Sequence, residues 1–90
     1  MSKGGPRIAL YELSKKFQWP MPIFDTRLSG GGNINLFKSE ITLHLPDSMH
    51  TIITIDGDVR TDKKSSQDSA ALAMLYELQK LGRCRITEVY

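Results

Sequence analysis

Apolar residues in the first twenty positions recur at helical spacing. Ala9, Leu10, Leu13 and Phe17 fall on one side of a helical wheel and predict a buried stripe on a helix from Pro6 to Trp19. Pro6 suits the first turn, where its missing N–H is not needed. The run WPMP ends the helix, because a residue before proline is pushed away from helical backbone angles. The opposite side is polar except for one isoleucine and comprises Ile8, Tyr11, Glu12 and Lys15.

The middle of the chain changes to the two-residue period of β-strands. IFDTRL (23–28) predicts a first strand, and SGGGN (29–33) a flexible loop. In LFKSEITLHL (36–45) one side is polar, which is typical of a sheet with one solvated face. Its inward positions are Phe37, Ser39, Ile41, Leu43 and Leu45. After the turn PDSMH, TIITIDGDV supplies a third strand with inward positions Ile53, Ile55, Gly57 and Val59.

A second helix is predicted towards the C-terminal end. Ala71, Met74, Leu75 and Leu78 follow the i, i+3, i+4, i+7 spacing, and Gly82 marks the end of the helix. The order is therefore α-β-β-β-α, an α+β fold in which a three-stranded antiparallel sheet carries two helices on one face. We expect one domain over residues 1–82, followed by a tail over 83–90 that is either an added edge strand or disordered.

Composition narrows the class of function. The 90 residues carry a formal charge of +2, so any affinity for a polyanion depends on where the charges lie. The single cysteine, Cys84, excludes an internal disulfide, and with only two histidines it argues against a zinc site. No apolar run approaches a membrane span of about 18 residues, and the start MSKGGPR lacks the apolar core of a signal peptide. We expect an intracellular protein that binds no metal, cofactor or membrane.

The acidic residues do not favour an enzyme. Asp56, Asp58, Asp62 and Asp68 lie in or beside a turn and a helix start, without the spacing that a two-metal or acid–base site requires. The glycine loop SGGGN lacks the Gly-Lys-Ser/Thr sequence of a nucleotide-hydrolase phosphate loop. The sequence therefore predicts a binding module with no catalytic residues of its own.

Two lysines at the start of the second helix are the leading candidates for binding. Lys63 and Lys64 lie beside the unsatisfied N–H groups and the positive end of the helix dipole, which is an arrangement suited to phosphate. Cations at this end of a helix interact unfavourably with its dipole, and Asp62, a good N-cap, offsets part of that cost. Lys63 and Gln67 line up with the apolar stripe, so the first turn should overhang the edge of the sheet. The alternative is an ordinary solvated helix start.

Three motifs at matching separations resemble the double-stranded RNA-binding domain (dsRBD) over most of the chain. The pattern P-x-x-x-L-x-E-L is given by Pro6, Leu10, Glu12 and Leu13. W-x-x-P-x-F/Y is given by Trp19, Pro22 and Phe24. KKSSQDSAA is similar to the family's KKxAKxxAA at the start of the second helix. A narrower resemblance is to the C-terminal dsRBD of plant Dicer-like ribonucleases of the RNase III family. It is given by the sequence segments GGPR.AL.EL.KK..WPMP.F and DKKSSQDSA.

The resemblance implies three contact regions on one face of duplex RNA. The first helix enters a minor groove, the loop from Ser29 to Asn35 reaches the next minor groove, and the start of the second helix spans the phosphates between them. A-form RNA has a wide, shallow minor groove lined with 2′-hydroxyls, so such binding follows shape and covers about 16 bp. The implied RNA-binding residues are Tyr11, Glu12, Lys15, Asn33, Asn35, Arg60, Lys63, Lys64 and Gln67.

Departures from the family pattern imply weaker binding. The loop lacks the usual Gly-Pro-x-His, so a 2′-hydroxyl would have to be bonded by Asn33 or Asn35. These residues lie in a more flexible segment, which costs more entropy to order. Gln67 replaces the third lysine and Asp68 adds a repulsive charge, although Arg60 on the same side compensates in part. Tyr11 stands where the family commonly has a polar side chain that contacts the minor groove.

Two functions from different classes follow. The first is a module that binds double-stranded RNA for a larger RNA-silencing endoribonuclease, with a nuclear location implied by the resemblance. The second is a protein-interaction module that pairs with another dsRBD protein and binds RNA weakly, as the incomplete lysine set and the apolar tail residues Ile86 and Val89 suggest. The two roles use separate surfaces and can coexist. A small catalytic domain is a distant third.

Overall fold

The computed structural model describes residues 5–30, 32–46 and 51–82 of the chain. Its elements are α1 (Gly5–Lys16), β1 (Ile23–Leu28), β2 (Phe37–Leu45), β3 (Thr51–Asp56) and α2 (Lys63–Lys80). The predicted α-β-β-β-α order and α+β class are confirmed. The predicted tail over 83–90 and most of the turn after β2 lie outside the described residues, so the domain boundary after residue 82 stays a prediction.

The sheet is antiparallel in the order β1-β2-β3. The central strand β2 alternates as predicted, with Ser39, Ile41, Leu43 and Leu45 buried beneath the helices. The third strand is shorter than predicted: β3 ends at Asp56 and does not continue to Val59. Val59 consequently does not face inward and is 42% exposed.

The core lies between the sheet and the two helices. It is formed by Ala9, Leu10, Leu13, Trp19, Ile41, Leu43, Leu45, Ala70, Ala71, Met74, Leu75 and Leu78. Full burial of each large aliphatic side chain contributes roughly 1.5–3 kcal/mol, so this cluster supplies much of the driving force for folding. The stripe predicted on α2 is confirmed in all four positions.

The first helix ends earlier than predicted. Gln18 adopts a left-handed φ of 58°, and Trp19 N–H donates to the Ser14 carbonyl at 2.8 Å, which together close the helix in a Schellman-type motif. Phe17 therefore lies beyond α1 and is 37% exposed rather than part of the buried stripe. Its ring stacks on Trp19, with centroids 4.9 Å apart, and Trp19 is buried as a packing residue.

Helix α2 lies directly on the chain that follows β3. A Cβ atom on Gly57 would stand 2.4 Å from the backbone nitrogen of Ala70, so only glycine fits this approach. Gly57 N–H donates to the Ser39 carbonyl at 2.9 Å, and Asp58 N–H donates to Ser69 Oγ at 2.8 Å. The close approach at Gly57 and the Asp58–Ser69 bond fix the position of α2 against the chain that follows β3.

Candidate nucleic-acid interface

The start of α2 is capped as the sequence predicts. Asp62 Oδ1 accepts from Ser65 N–H at 2.7 Å and Oδ2 accepts from Ser65 Oγ at 2.9 Å. The backbone bond and then the hydroxyl bond from Ser65 lower the pKa of the Asp62 carboxyl. Lys63 and Lys64 occupy the first positions of the helix and are exposed. The cap reduces the unfavourable interaction of these lysines with the helix dipole.

The loop between β1 and β2 ends next to the start of α2. Phe37 and Arg60 exchange two backbone hydrogen bonds at 2.7 and 2.8 Å, and Lys63 Nζ lies 5.9 Å from the centroid of the Phe37 ring. The loop is closed at its base by Ser29 N–H, which donates to the Leu36 carbonyl at 2.6 Å. Two of the three predicted contact regions are therefore held side by side.

The asparagines of this loop are exposed. Asn33 and Asn35 lie in the loop between Ser29 and Leu36, as does the exposed Ile34. Their side chains are accessible to a ligand, and the loop base holds them near Phe37 and the α2 start.

The outward side of α1 carries the third predicted region. Glu12 and Lys15 are exposed, and Tyr11 is half-buried. The Tyr11 ring meets Phe24 of β1 edge-on, with centroids 6.4 Å apart and an interplanar angle of 87°. This contact packs the ring against β1, while the two polar side chains beside it are exposed to solvent.

Arg60 lies where the prediction placed it, on the approach to α2. Its guanidinium forms an exposed ion pair with Asp58 at 3.3 Å, while its backbone pairs with Phe37. The ion pair is solvent-exposed and therefore weak. The guanidinium also donates to the Val59 carbonyl at 3.2 Å.

Gln67 and Asp68, which stand near the family's third lysine, both contact α1. Arg7 Nε donates to Asp68 Oδ1 at 2.9 Å, and Arg7 Nη1 donates to Gln67 Oε1 at 3.2 Å. Gln67 Nε2 in turn donates to Thr26 Oγ1 of β1 at 2.9 Å. The repulsive charge expected of Asp68 is thus offset by an ion pair, and the Gln67 amide is engaged on both sides.

A directional chain of hydroxyl groups continues from Thr26 to the first turn of α2. Thr26 Oγ1 and Ser39 Oγ are 2.9 Å apart, Ser39 Oγ and Ser66 Oγ are 2.7 Å apart, and Ser66 Oγ donates to the Lys63 carbonyl at 2.7 Å. Each hydroxyl has one proton, so the donation to Lys63 fixes the direction of every earlier link. The buried side of the first turn is therefore bound to the sheet, although its lysines point outward.

Sequence reasoning missed Arg7, Thr26 and Ser66. A signal existed for the hydroxyl chain, because Ser39 is a polar residue on an apolar strand face and Ser66 replaces the alanine of the family motif. No local signal indicated Arg7, since Gln67 lies 60 positions away in sequence.

The outer face of the sheet has a different character. The strand register places Asp25, Glu40 and Asp56 in one row across the three strands, next to Arg27 and Lys38. A hydrogen bond and the charge of Asp25 raise the pKa of the Arg27 guanidinium. Within the described ranges no group of three or more His, Cys, Asp or Glu residues could hold a metal ion. Nor is any helix among those residues long and apolar enough to cross a membrane.

Solved structures with this architecture define the class of the domain. The first dsRBD of the protein HYL1 matches with a TM-score of 0.62 and 26% identity, over 79% of this chain and 92% of that domain. The second dsRBD of DRB4 matches with a TM-score of 0.56 and 20% identity, over 81% of this chain and 93% of that domain. The chain therefore has the dsRBD fold, as the sequence motifs implied.

Sequence comparison adds the particular relatives. The chain is 52% identical over 95 residues to Endoribonuclease Dicer homolog 3b of Oryza sativa subsp. japonica and 42% identical over 93 residues to Endoribonuclease Dicer homolog 3 of Arabidopsis thaliana. These matches cover 93% and 89% of this chain but only 6% of either relative. No family model matches the chain. The chain thus has the dsRBD fold and is homologous to a short segment of the plant Dicer 3 endoribonucleases.

Proposed function

We propose that this domain binds double-stranded RNA by shape, contacting two successive minor grooves and the phosphates between them. The observation that carries the proposal is the Phe37–Arg60 backbone pair, which holds the β1–β2 loop beside the exposed Lys63 and Lys64. A duplex that meets the lysines with its phosphates can meet the loop with the adjacent minor groove. A-form RNA suits this arrangement because its minor groove is wide and shallow.

Each region has groups that suit its part of the duplex. In the first minor groove, the Glu12 carboxylate accepts from a 2′-hydroxyl, and Tyr11 and Lys15 lie beside it. In the second, the amides of Asn33 and Asn35 bond 2′-hydroxyls. Lys63 and Lys64 are mobile charges that neutralise phosphates, with Arg60 next to them. Gln67 lies at the edge of this set, where its neutral amide adds polarity but no charge.

The domain serves, in this proposal, as a module of a larger Dicer-like endoribonuclease. Homology to a segment of plant Dicer 3 proteins supports this role. The module holds the duplex while another part of the enzyme cleaves it, inside the cell and in the nucleus.

A titration with about 20 bp of duplex RNA, matched duplex DNA and single-stranded RNA at several salt concentrations tests the proposal. We expect preference for duplex RNA and a slope of log K against log salt of roughly −2 to −5, as for a few phosphate contacts. Replacing both lysines, Lys63→Ala with Lys64→Ala, should weaken binding to all duplex sequences and flatten the slope by about 2.

Lys80→Ala is the matched control. Lys80 lies about 25 Å along the helix from Lys63 and is exposed, so its replacement removes one charge away from the proposed interface. Binding by this variant should stay close to that of the parent domain. Equal RNA affinity in the double variant and the parent would refute the role of the α2 start.

A second candidate function is pairing with another dsRBD protein, accompanied by weak RNA binding. It is favoured by the edge strand β3 and by a groove of about 210 Å³ between the end of β3 and α2. Tyr76, which is 48% exposed, and Leu72 supply apolar surface in this groove. A mass by light scattering that rises with concentration, or capture of a second dsRBD, would support it, with Tyr76→Ala as the disrupting change.

A further inference from the structure

Arg7 lies between two of the proposed contact regions. On α1 it is four residues before Tyr11, and residues at that spacing are neighbours on one face of a helix. Its guanidinium contacts Gln67 and Asp68, which are one turn beyond Lys63 and Lys64 on α2. A phosphate strand that runs from the lysines towards Tyr11 must therefore pass close to Arg7.

The Arg7 guanidinium is held in place by two hydrogen bonds and has further N–H donors. Arg7 has five N–H donors, of which one on Nε is used by Asp68 and one on Nη1 by Gln67. The other three donors have no further partner in 5–30, 32–46 and 51–82, and the side chain is 23% exposed. Gln67 is itself fixed by its bond to Thr26, so the planar group is oriented before any ligand arrives.

We propose that Arg7 is a third phosphate-binding residue, which α1 supplies in place of the lysine that Gln67 replaces on α2. The inference rests on the proposed RNA-binding function and adds a residue to it. Because Asp68 pairs with Arg7, the contribution is a direct hydrogen bond from the guanidinium fork to a phosphate oxygen rather than long-range attraction. Gln67 and Asp68 hold the guanidinium close to position 67, from which the family's lysine would extend a mobile side chain.

A purely structural role for Arg7 makes a different prediction. If Arg7 only joins the helices and neutralises Asp68, then Arg7→Ala weakens RNA binding merely by uncovering the carboxylate. Removing both partners, Arg7→Ala with Asp68→Ala, leaves the net charge unchanged and separates the two roles. Under the proposal this double variant binds duplex RNA about tenfold more weakly, with a salt slope close to that of the parent, because the pair that it removes is neutral. Under the structural role it binds like the parent.

A rescue completes the variant series. Adding Gln67→Lys to the double variant restores the family's lysine and its charge, so it should recover the affinity and steepen the salt slope by about 0.9. Arg7→Lys keeps the charge but loses the fork, so it should bind between the parent and the double variant. Stability is followed in parallel by urea denaturation, and RNA binding is measured where every variant is folded.

An NMR measurement on the unmodified domain tests the same role without relying on the RNA affinity of any variant. The Arg7 guanidinium signals, assigned by their loss in Arg7→Lys, should shift on addition of duplex RNA and resist exchange with water. Unchanged signals, or parental binding by the double variant, would overturn the role of Arg7. If replacing Lys63 and Lys64 weakens binding while these results are negative, only this inference fails; if the lysine variant also binds normally, the proposed function fails as well.

Discussion

Phe37, the first residue of β2, and Arg60, which lies beyond the end of β3, exchange two backbone hydrogen bonds at 2.7 and 2.8 Å. This isolated pair joins the end of the β1–β2 loop to the segment that leads into α2. It sets the distance between the loop and Lys63 through the backbone alone. The side chain of Arg60 is therefore free to change without moving the two regions apart.

Two substitutions at Arg60 should separate charge from architecture. Arg60→Ala keeps the backbone pair, so unfolding stability should change by less than about 0.5 kcal/mol while the salt slope of RNA binding falls by up to about 0.9. Arg60→Pro removes the N–H that donates to Phe37 and should weaken both stability and binding. Urea denaturation and salt titrations check both outcomes. If the two variants bind RNA alike, the backbone pair has no part in positioning the loop.

The buried Ser39–Ser66 bond should behave as a coupled pair. Ser39→Ala leaves Thr26 without an acceptor and Ser66 without an incoming donor, which should lower the free energy of unfolding by about 1–3 kcal/mol. Replacing both serines by alanine should cost less than the sum of the single changes, by about 0.5 kcal/mol or more. Thr54→Val is the control, since its 3.3 Å partner Thr42 lies on the solvated face. Additive single changes would contradict the coupling.

Gly57 should tolerate no side chain. In Gly57→Ala the new Cβ meets backbone atoms of Ala70, which cannot rotate away, so α2 must shift and the free energy of unfolding should fall by about 3 kcal/mol. Gly32→Ala is the matched control, because a Cβ there meets nothing within 4 Å, and we expect a change within about 0.5 kcal/mol. Similar urea midpoints for the two variants would show that α2 does not lie as close to Gly57 as described.

The Asp62 cap should make the first turn of α2 sensitive to acid. Because bonds from Ser65 lower the pKa of the Asp62 carboxyl in the folded protein, its stabilisation is present above the unfolded value of about 3.9 and is lost as pH falls through the folded value. The protection of the Ser65 amide against hydrogen exchange, taken relative to its intrinsic rate at each pH, should therefore fall below about pH 4. Asp62→Asn keeps a capping oxygen and should remove this pH dependence, whereas Asp62→Ala should expose the turn at all pH values.

Local patterns predicted the fold well because each element has its own period. The bounds of β1, the inward face of β2 and the buried stripe of α2 all follow from residues a few positions apart. The errors lie at the ends of two elements. Gln18 ends α1 with a left-handed φ, and β3 ends before Gly57, and neither change alters the hydrophobic period.

The candidate site was only partly predictable for a related reason. Lys63, Lys64 and their cap form a local motif, so the helix start could be recognised from the sequence. The partners of Gln67 and Asp68 could not, because Arg7 reaches them from another helix. The effect of Asp68 on a bound phosphate therefore depends on a tertiary contact that sequence spacing does not encode.

The hydrogen-bond chain that ends at the Lys63 carbonyl also constrains which amino acids can occur together in homologous sequences. Each of its hydroxyls gives its one proton to the next group, so no single link can be replaced without leaving a neighbour unpaired. Positions 26, 39, 66 and 67 are then expected to covary among homologues. If Arg7 acts as proposed, a homologue with alanine at 66 and lysine at 67 is expected to lack an arginine at position 7.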